Sequence, residues 1–101
     1  MKMFDKHYAT SEVAETVPLD IQLLLWTLIE RRKEDKKEVD YLQVFNLSII
    51  VVNGRKSQRI LHSQEQPKIS FIGDFQVFEP INAKFWVVDS GDGILMYPEQ
   101  Y

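Results

Sequence analysis

The segment Pro18–Lys37, which reads Pro-Leu-Asp-Ile-Gln-Leu-Leu-Leu-Trp-Thr-Leu-Ile-Glu-Arg-Arg-Lys-Glu-Asp-Lys-Lys, constrains this chain more than any other. It reads as one long helix. Pro18 suits the first helical position, Asp20 puts a carboxylate in the first turn, and Thr16 or Val17 is left as the boundary. Lys36 and Lys37 stand near the far end, where the macrodipole favours cations. At about 100° per residue, Ile21, Leu24, Leu25, Leu28 and Ile29 form one broad apolar stripe of the kind that packs on a sheet. Leu19, Leu23 and Trp26 fall almost opposite. One sheet cannot cover both stripes, so the N-terminal segment, a later loop or another copy of the chain must bury the second. Leu19, Leu23 and Trp26 are therefore the candidate interaction surface, for a protein partner or for a homo-oligomer. Past Ile29 the sequence turns charged. Glu30–Glu38 reads as solvated last turns and a linker, with Glu30 and Glu34 spaced to pair with Lys33 and Lys37.

From Asp40 onward the period changes from helical to extended. Tyr41–Val52 is rich in β-branched and aromatic residues and is the strongest strand in the chain. Asn53-Gly54 then marks a type I′ turn, and Arg55–Gln64 returns. A two-residue turn sets Leu47 opposite Ile60 and Phe45 opposite His62, which makes one face apolar for the helix to cover. Gln64–Pro67 interrupts, and Ile69–Phe78 resumes with Ile69, Phe71, Phe75 and Val77 on one parity; Gly73-Asp74 inside it suggests a bulge or a hairpin. After Pro80, Asn82–Val88 reads as a central strand covered on both faces, Asp89–Gly93 as a loop, and Ile94–Tyr97 as a last short strand. Before the helix, residues 1–6 read as a loose start and Tyr8–Val17 as a short strand. The expected fold is α+β: a single domain over residues 1–101, with one long N-terminal helix packed on a mainly antiparallel sheet of about five strands.

The formal charge of -3, from 12 Lys and Arg against 15 Asp and Glu, offers no general attraction to nucleic acid or an anionic membrane. With no cysteine there is no disulfide framework, thiolate metal site or cysteine nucleophile. No run of signal-peptide length opens the chain, and none approaches the ~20 apolar residues of a membrane span. The expectation is a cytoplasmic protein without membrane attachment.

Each pattern that could carry chemistry has a plainer explanation. His7 falls in the N-terminal tail and His62 in a strand opposite Phe45, so the two do not form a metal site without a carboxylate and a fold that unites them. Asp89-Ser-Gly-Asp-Gly93 has two carboxylates in a loop but lacks the distal bidentate glutamate of a calcium loop, and a glycine-assisted turn explains it. Glu79 and Asn82, with Asp89 and Asp92, could line an acidic cleft for a small metal-dependent or hydrolytic enzyme, provided that the carboxylates share a pocket. The basic groups at 31–37 and 55–59, namely Arg31, Lys33, Arg55, Lys56 and Arg59, would serve nucleic acid only if they share a face, which the acidic total disfavours. The glycines space neither as a phosphate loop nor as a dinucleotide fingerprint, and no cofactor is expected.

Several stretches also carry a resemblance: Tyr8-Ala-Thr10, Glu15-Thr-Val-Pro-Leu19, the Leu-Leu-Leu-Trp-Thr-Leu-Ile helix core, Asp40-Tyr-Leu-Gln-Val-Phe45, Gln64-Glu-Gln-Pro67, Glu79-Pro-Ile-Asn-Ala-Lys84 and Val-Val-Asp-x-Gly-Asp-Gly. Together they resemble a family of small proteins from low-GC Gram-positive bacteria, of staphylococcal and streptococcal type, described as a domain of unknown function. That resemblance implies no activity, substrate or catalytic residue. The combined expectation is a non-catalytic protein-binding or self-associating module.

Overall fold

Val17 precedes a proline, and this splits the helical part of the chain in two. The ring of Pro18 disfavours the α region for the residue before it, and Val17 is extended at φ -101° and ψ 127°. The computed structural model of the chain describes residues 3–35 and 38–101. In it, β1 (His7–Ala9) leads into α1 (Ser11–Thr16), and α2 (Leu19–Glu34) follows. Thr10 caps α1 by accepting from the Val13 N–H at 3.4 Å. The expected strand over Tyr8–Val17 is thus a three-residue strand followed by a helix that buries Val13.

Pro18 lies just outside α2, with ψ 140°, and its carbonyl accepts from Ile21 and Gln22 at 3.1 Å each. Asp20 Oδ1 takes the Ile21 N–H at 2.9 Å, so the first turn has a carboxylate partner although Pro18 supplies no side-chain cap. The helix ends at Glu34, soon after its apolar stripe does; Lys36 and Lys37, expected in its last turn, lie outside the described residues.

The sheet comprises β2 (Leu42–Val52), β3 (Arg55–Glu65), β4 (Lys68–Phe75), β5 (Ala83–Asp89) and β6 (Gly93–Met96) together with β1, in the order β1-β6-β5-β2-β3-β4. Asn53 and Gly54 both have positive φ, 51° and 75°, as a type I′ turn demands. The register pairs Leu47 with Ile60 and Phe45 with His62, as the turn length required. β4 runs straight through Gly73, which pairs with Ile60. A glycine is needed there because a Cβ would stand 2.9 Å from the Phe71 and Phe75 rings.

The architecture departs from one long helix on about five strands. It is a six-stranded, sheet-dominated fold whose helical part is a six-residue and a 16-residue helix with a final 3-10 turn at Pro98–Gln100. The extra strand is β1, and its pairing with β6 is parallel, which no short link between neighbouring elements could have signalled.

The core lies between the helices and one face of the sheet. Ile21, Leu25, Leu28 and Ile29 meet Phe45, Leu47, Ile60, Phe85, Val87 and Leu95 there. Phe4 is fully buried in the same core, and its N–H donates to Asp89 Oδ1 at 3.1 Å, so the start of the described chain is packed where a loose segment was expected.

Candidate functional site

The candidate interaction surface on α2 separates in space. Leu19 and Leu23 are 67% and 57% exposed, whereas Trp26 is only 8% exposed. His7 stacks on Trp26 with ring centroids 4.2 Å apart and planes 3° from parallel, and His7 Nε2 lies 3.5 Å from a Glu30 carboxylate oxygen. A Cβ on Gly93 would come within 2.8 Å of the Trp26 ring and 3.1 Å of Phe4. The N-terminal strand and Gly93 therefore seat Trp26, and the three residues do not form one surface.

The rival sites separate too. Asp89 Oδ1 accepts from the Phe4 and Gly91 N–H groups at 3.1 Å each, and Asp92 Oδ1 accepts from the Lys6 N–H at 3.2 Å. Both carboxylates tie the chain start to the β5–β6 turn. Glu79 lies before β5 and Asp89 ends it, with the extended strand Ala83–Asp89, about 20 Å long, between them. Asn82 Oδ1 accepts from the Ile49 N–H at 3.0 Å and pins the strand entry. Among the described residues no group of three His, Asp or Glu is placed to hold a metal ion. Of the basic residues, Arg59 is paired with Asp74 at 2.9 Å, Lys33 with Glu30 at 3.2 Å, and Arg32 is buried. Among the described residues these three are thus paired or buried rather than free cations.

Chemistry gathers instead under the last turns of α2, in residues that the sequence pattern conceals. The stripe Ile21, Leu25, Leu28, Ile29 continues at helical spacing to Arg32, so the geometry that buries four apolar side chains buries a guanidinium next; Arg32 is 6% exposed. On the sheet beneath, Gln43 precedes Phe45 by two on the apolar face of β2, while His62 and Gln64 follow Ile60 on the same face of β3. All three are buried. Arg32 Nη1 donates to Gln43 Oε1 at 3.0 Å and Nη2 to the His62 carbonyl at 3.1 Å. Gln43 Nε2 donates to the Asp40 carbonyl and to Gln64 Oε1, at 2.8 and 2.9 Å. Its Oε1 is therefore an acceptor, and His62 Nε2 must donate to it across 2.7 Å, which assigns the Nε2–H tautomer. Gln64 Nε2 donates to the Glu38 and Pro67 carbonyls at 2.9 and 3.0 Å.

Burial above all, and then the Arg32 charge, push the His62 pKa down to about 3. The ring is neutral and stacks on Phe45 with centroids 4.3 Å apart. Burial lowers the Arg32 pKa as well, against the opposing pull of Asp35, yet a guanidinium keeps its charge. Among the described residues no carboxylate forms an ion pair with Arg32. Beside it opens a cavity of about 170 Å³, lined by the apolar Leu28, Ile69 and Phe71 together with Arg31, Arg32, Asp35 and His62. The signals that could have found them are the parity of the glutamines, which falls on the apolar face, and the helical spacing that places Arg32 next on the buried stripe.

A one-sided sheet with a hydrogen-bonded polar cluster beneath its longer helix defines a small two-layer domain in which polar groups stand where apolar packing would be expected. Within that class, the chain belongs to the family of staphylococcal proteins of unknown function DUF960, whose model matches residues 6–100, in agreement with the stretches quoted above. A crystal structure of a protein of unknown function from Enterococcus faecalis superposes with a TM-score of 0.78, at 18% identity, covering 100% of this chain and 97% of that one. At that identity the likeness is one of fold. No curated protein matches the chain. Among the described residues no helix is long and apolar enough to cross a membrane.

Proposed function

We propose that the protein is a non-catalytic binding module that self-associates through the outer face of its sheet. The observation behind this reading is the row Tyr8, Ile94, Val88 and Leu42, which crosses four adjacent strands in register. These side chains alternate with the core residues, so they point away from both helices. Val44, Trp86 and Met96 form a second row beside them, with Tyr101 set edge-on against Trp86 at 5.4 Å. Arg59 and Asp74 pair with each other on the same face, so their charges do not set one copy against another. Two copies stacked sheet on sheet about 10 Å apart would bury the row Tyr8, Ile94, Val88 and Leu42 against its counterpart around a twofold axis. The second reading is a protein partner docking on Leu19 and Leu23. It is favoured by their exposure and by the exposed Phe78, whose N–H donates to Asp20 at 3.0 Å beside them.

Light scattering across a concentration series tests both readings. The wild-type chain is expected to be a dimer, the Tyr8→Glu/Leu42→Lys variant a folded monomer, and Leu19→Glu/Leu23→Glu still a dimer. A wild-type monomer at every concentration overturns self-association. A dimer lost only in the helix variant transfers the contact to Leu19 and Leu23.

A further inference from the structure

We propose that the cavity beside Arg32 is a binding site for a small organic carboxylate with an apolar body, a ligand site separate from the outer sheet face. Burying a cation with no carboxylate within ion-pair distance is costly, and Asp35 acts on Arg32 only from farther away. Arg32 spends two of its N–H donors inside the protein, on Gln43 and on the His62 carbonyl, and its guanidinium has five. The group lines the cavity, and a guanidinium fork matches the two oxygens of a carboxylate.

The rest of the lining narrows the ligand. His62 is neutral, so the formal charges facing the cavity are those of Arg31 and Arg32 against that of Asp35, which leaves one positive charge. A monoanion balances that sum. A phosphate dianion would overshoot it by one charge. Leu28, Ile69 and Phe71 give the lining its apolar part, suited to an apolar or aromatic body. At about 170 Å³ the space is similar to an engineered apolar cavity of ~150 Å³ that admits benzene, which suits a ligand the size of benzoate. The chain of bonds from Arg32 through Gln43 to His62 and Gln64 holds the guanidinium in place before any ligand arrives.

The test is a titration of the full-length chain with sodium benzoate, followed by ¹H–¹⁵N correlation spectra at constant ionic strength. Inorganic phosphate and benzylamine serve as comparison probes. Benzoate is expected to give saturable shifts at Leu28, Ser70, Phe71 and the Arg32 Nε–H, with phosphate and benzylamine at least tenfold weaker. Arg32→Gln is expected to abolish saturation. Arg31→Gln and Phe71→Ala, both at exposed positions, are expected to weaken binding several-fold, and they carry the test if Arg32→Gln does not fold. Shifts linear in benzoate with no saturation overturn the proposal, as does equal affinity in wild type, Arg31→Gln and Phe71→Ala. Saturation by phosphate with benzoate inert overturns the carboxylate assignment.

Discussion

At Arg32 a single residue reverses what its neighbours prepare. Four apolar side chains on the same stripe set the helix against the sheet, and the fifth delivers a charge into the space they have closed. His62 answers it by staying neutral. Its folded-state value of about 3 lies below the ordinary 6.5, so between those limits the unfolded chain binds the extra proton. The His62 contribution to stability is therefore present above pH 6.5 and is lost as pH falls towards 3. In that window it should steepen the fall of unfolding free energy by up to about 1.4 kcal/mol per pH unit. Urea denaturation of the wild type and His62→Gln at about pH 7, 6, 5 and 4 checks this, the variant being expected to show the shallower slope. The register rule had already set His62 opposite Phe45, and the structure adds that the ring stacks there. Arg32 was invisible for a physical reason. In a run of Glu, Arg, Lys and Asp, charge dominates the reading, whereas the helical period alone decides which member faces the sheet.

Among the elements, β1 decides how the second apolar stripe of α2 is treated. This three-residue strand brings His7 against Trp26, while Gly93 on its partner β6 leaves room for the indole. A methyl at Gly93 has nowhere to go. Gly93→Ala is expected to lower the unfolding free energy by about 1–3 kcal/mol and to shift Trp26 emission to the red, measured by urea titration followed by fluorescence. The β2–β3 hairpin was legible down to residue pairs, because two adjacent positive-φ residues and a period of two leave one register. The β1–β6 pair was not, since three residues are too few for a period and a parallel partner far along the chain leaves no local mark. The break between α1 and α2 lay in the Val17-Pro18 step, where the rule for the residue before proline outranks the placement of proline at a helix start.

For the whole molecule, the stitching of its two ends is the feature with the widest reach. Thr10 Oγ1 donates to Gln100 Oε1 at 2.9 Å, the Thr16 and Tyr97 hydroxyls meet at 2.6 Å, and Tyr101 packs on Trp86. Deleting residues 97–101 removes all three contacts. That truncation is expected to raise hydrogen exchange throughout β1 and β6 while β2 and β3 keep their protection, as read by exchange with mass spectrometry. The outer face, the helix surface and the cavity are three separate regions, and each variant that tests one of them leaves the other two untouched. The seam between β1 and β6 also sets an order of events. As the chain is synthesised, the hairpin of β2 and β3 can form early, but β1 has no strand to lie against until β6, some 86 residues later, has been made. Until then Trp26 lacks its Gly93 seat, and the nascent protein presents an indole that the finished one conceals.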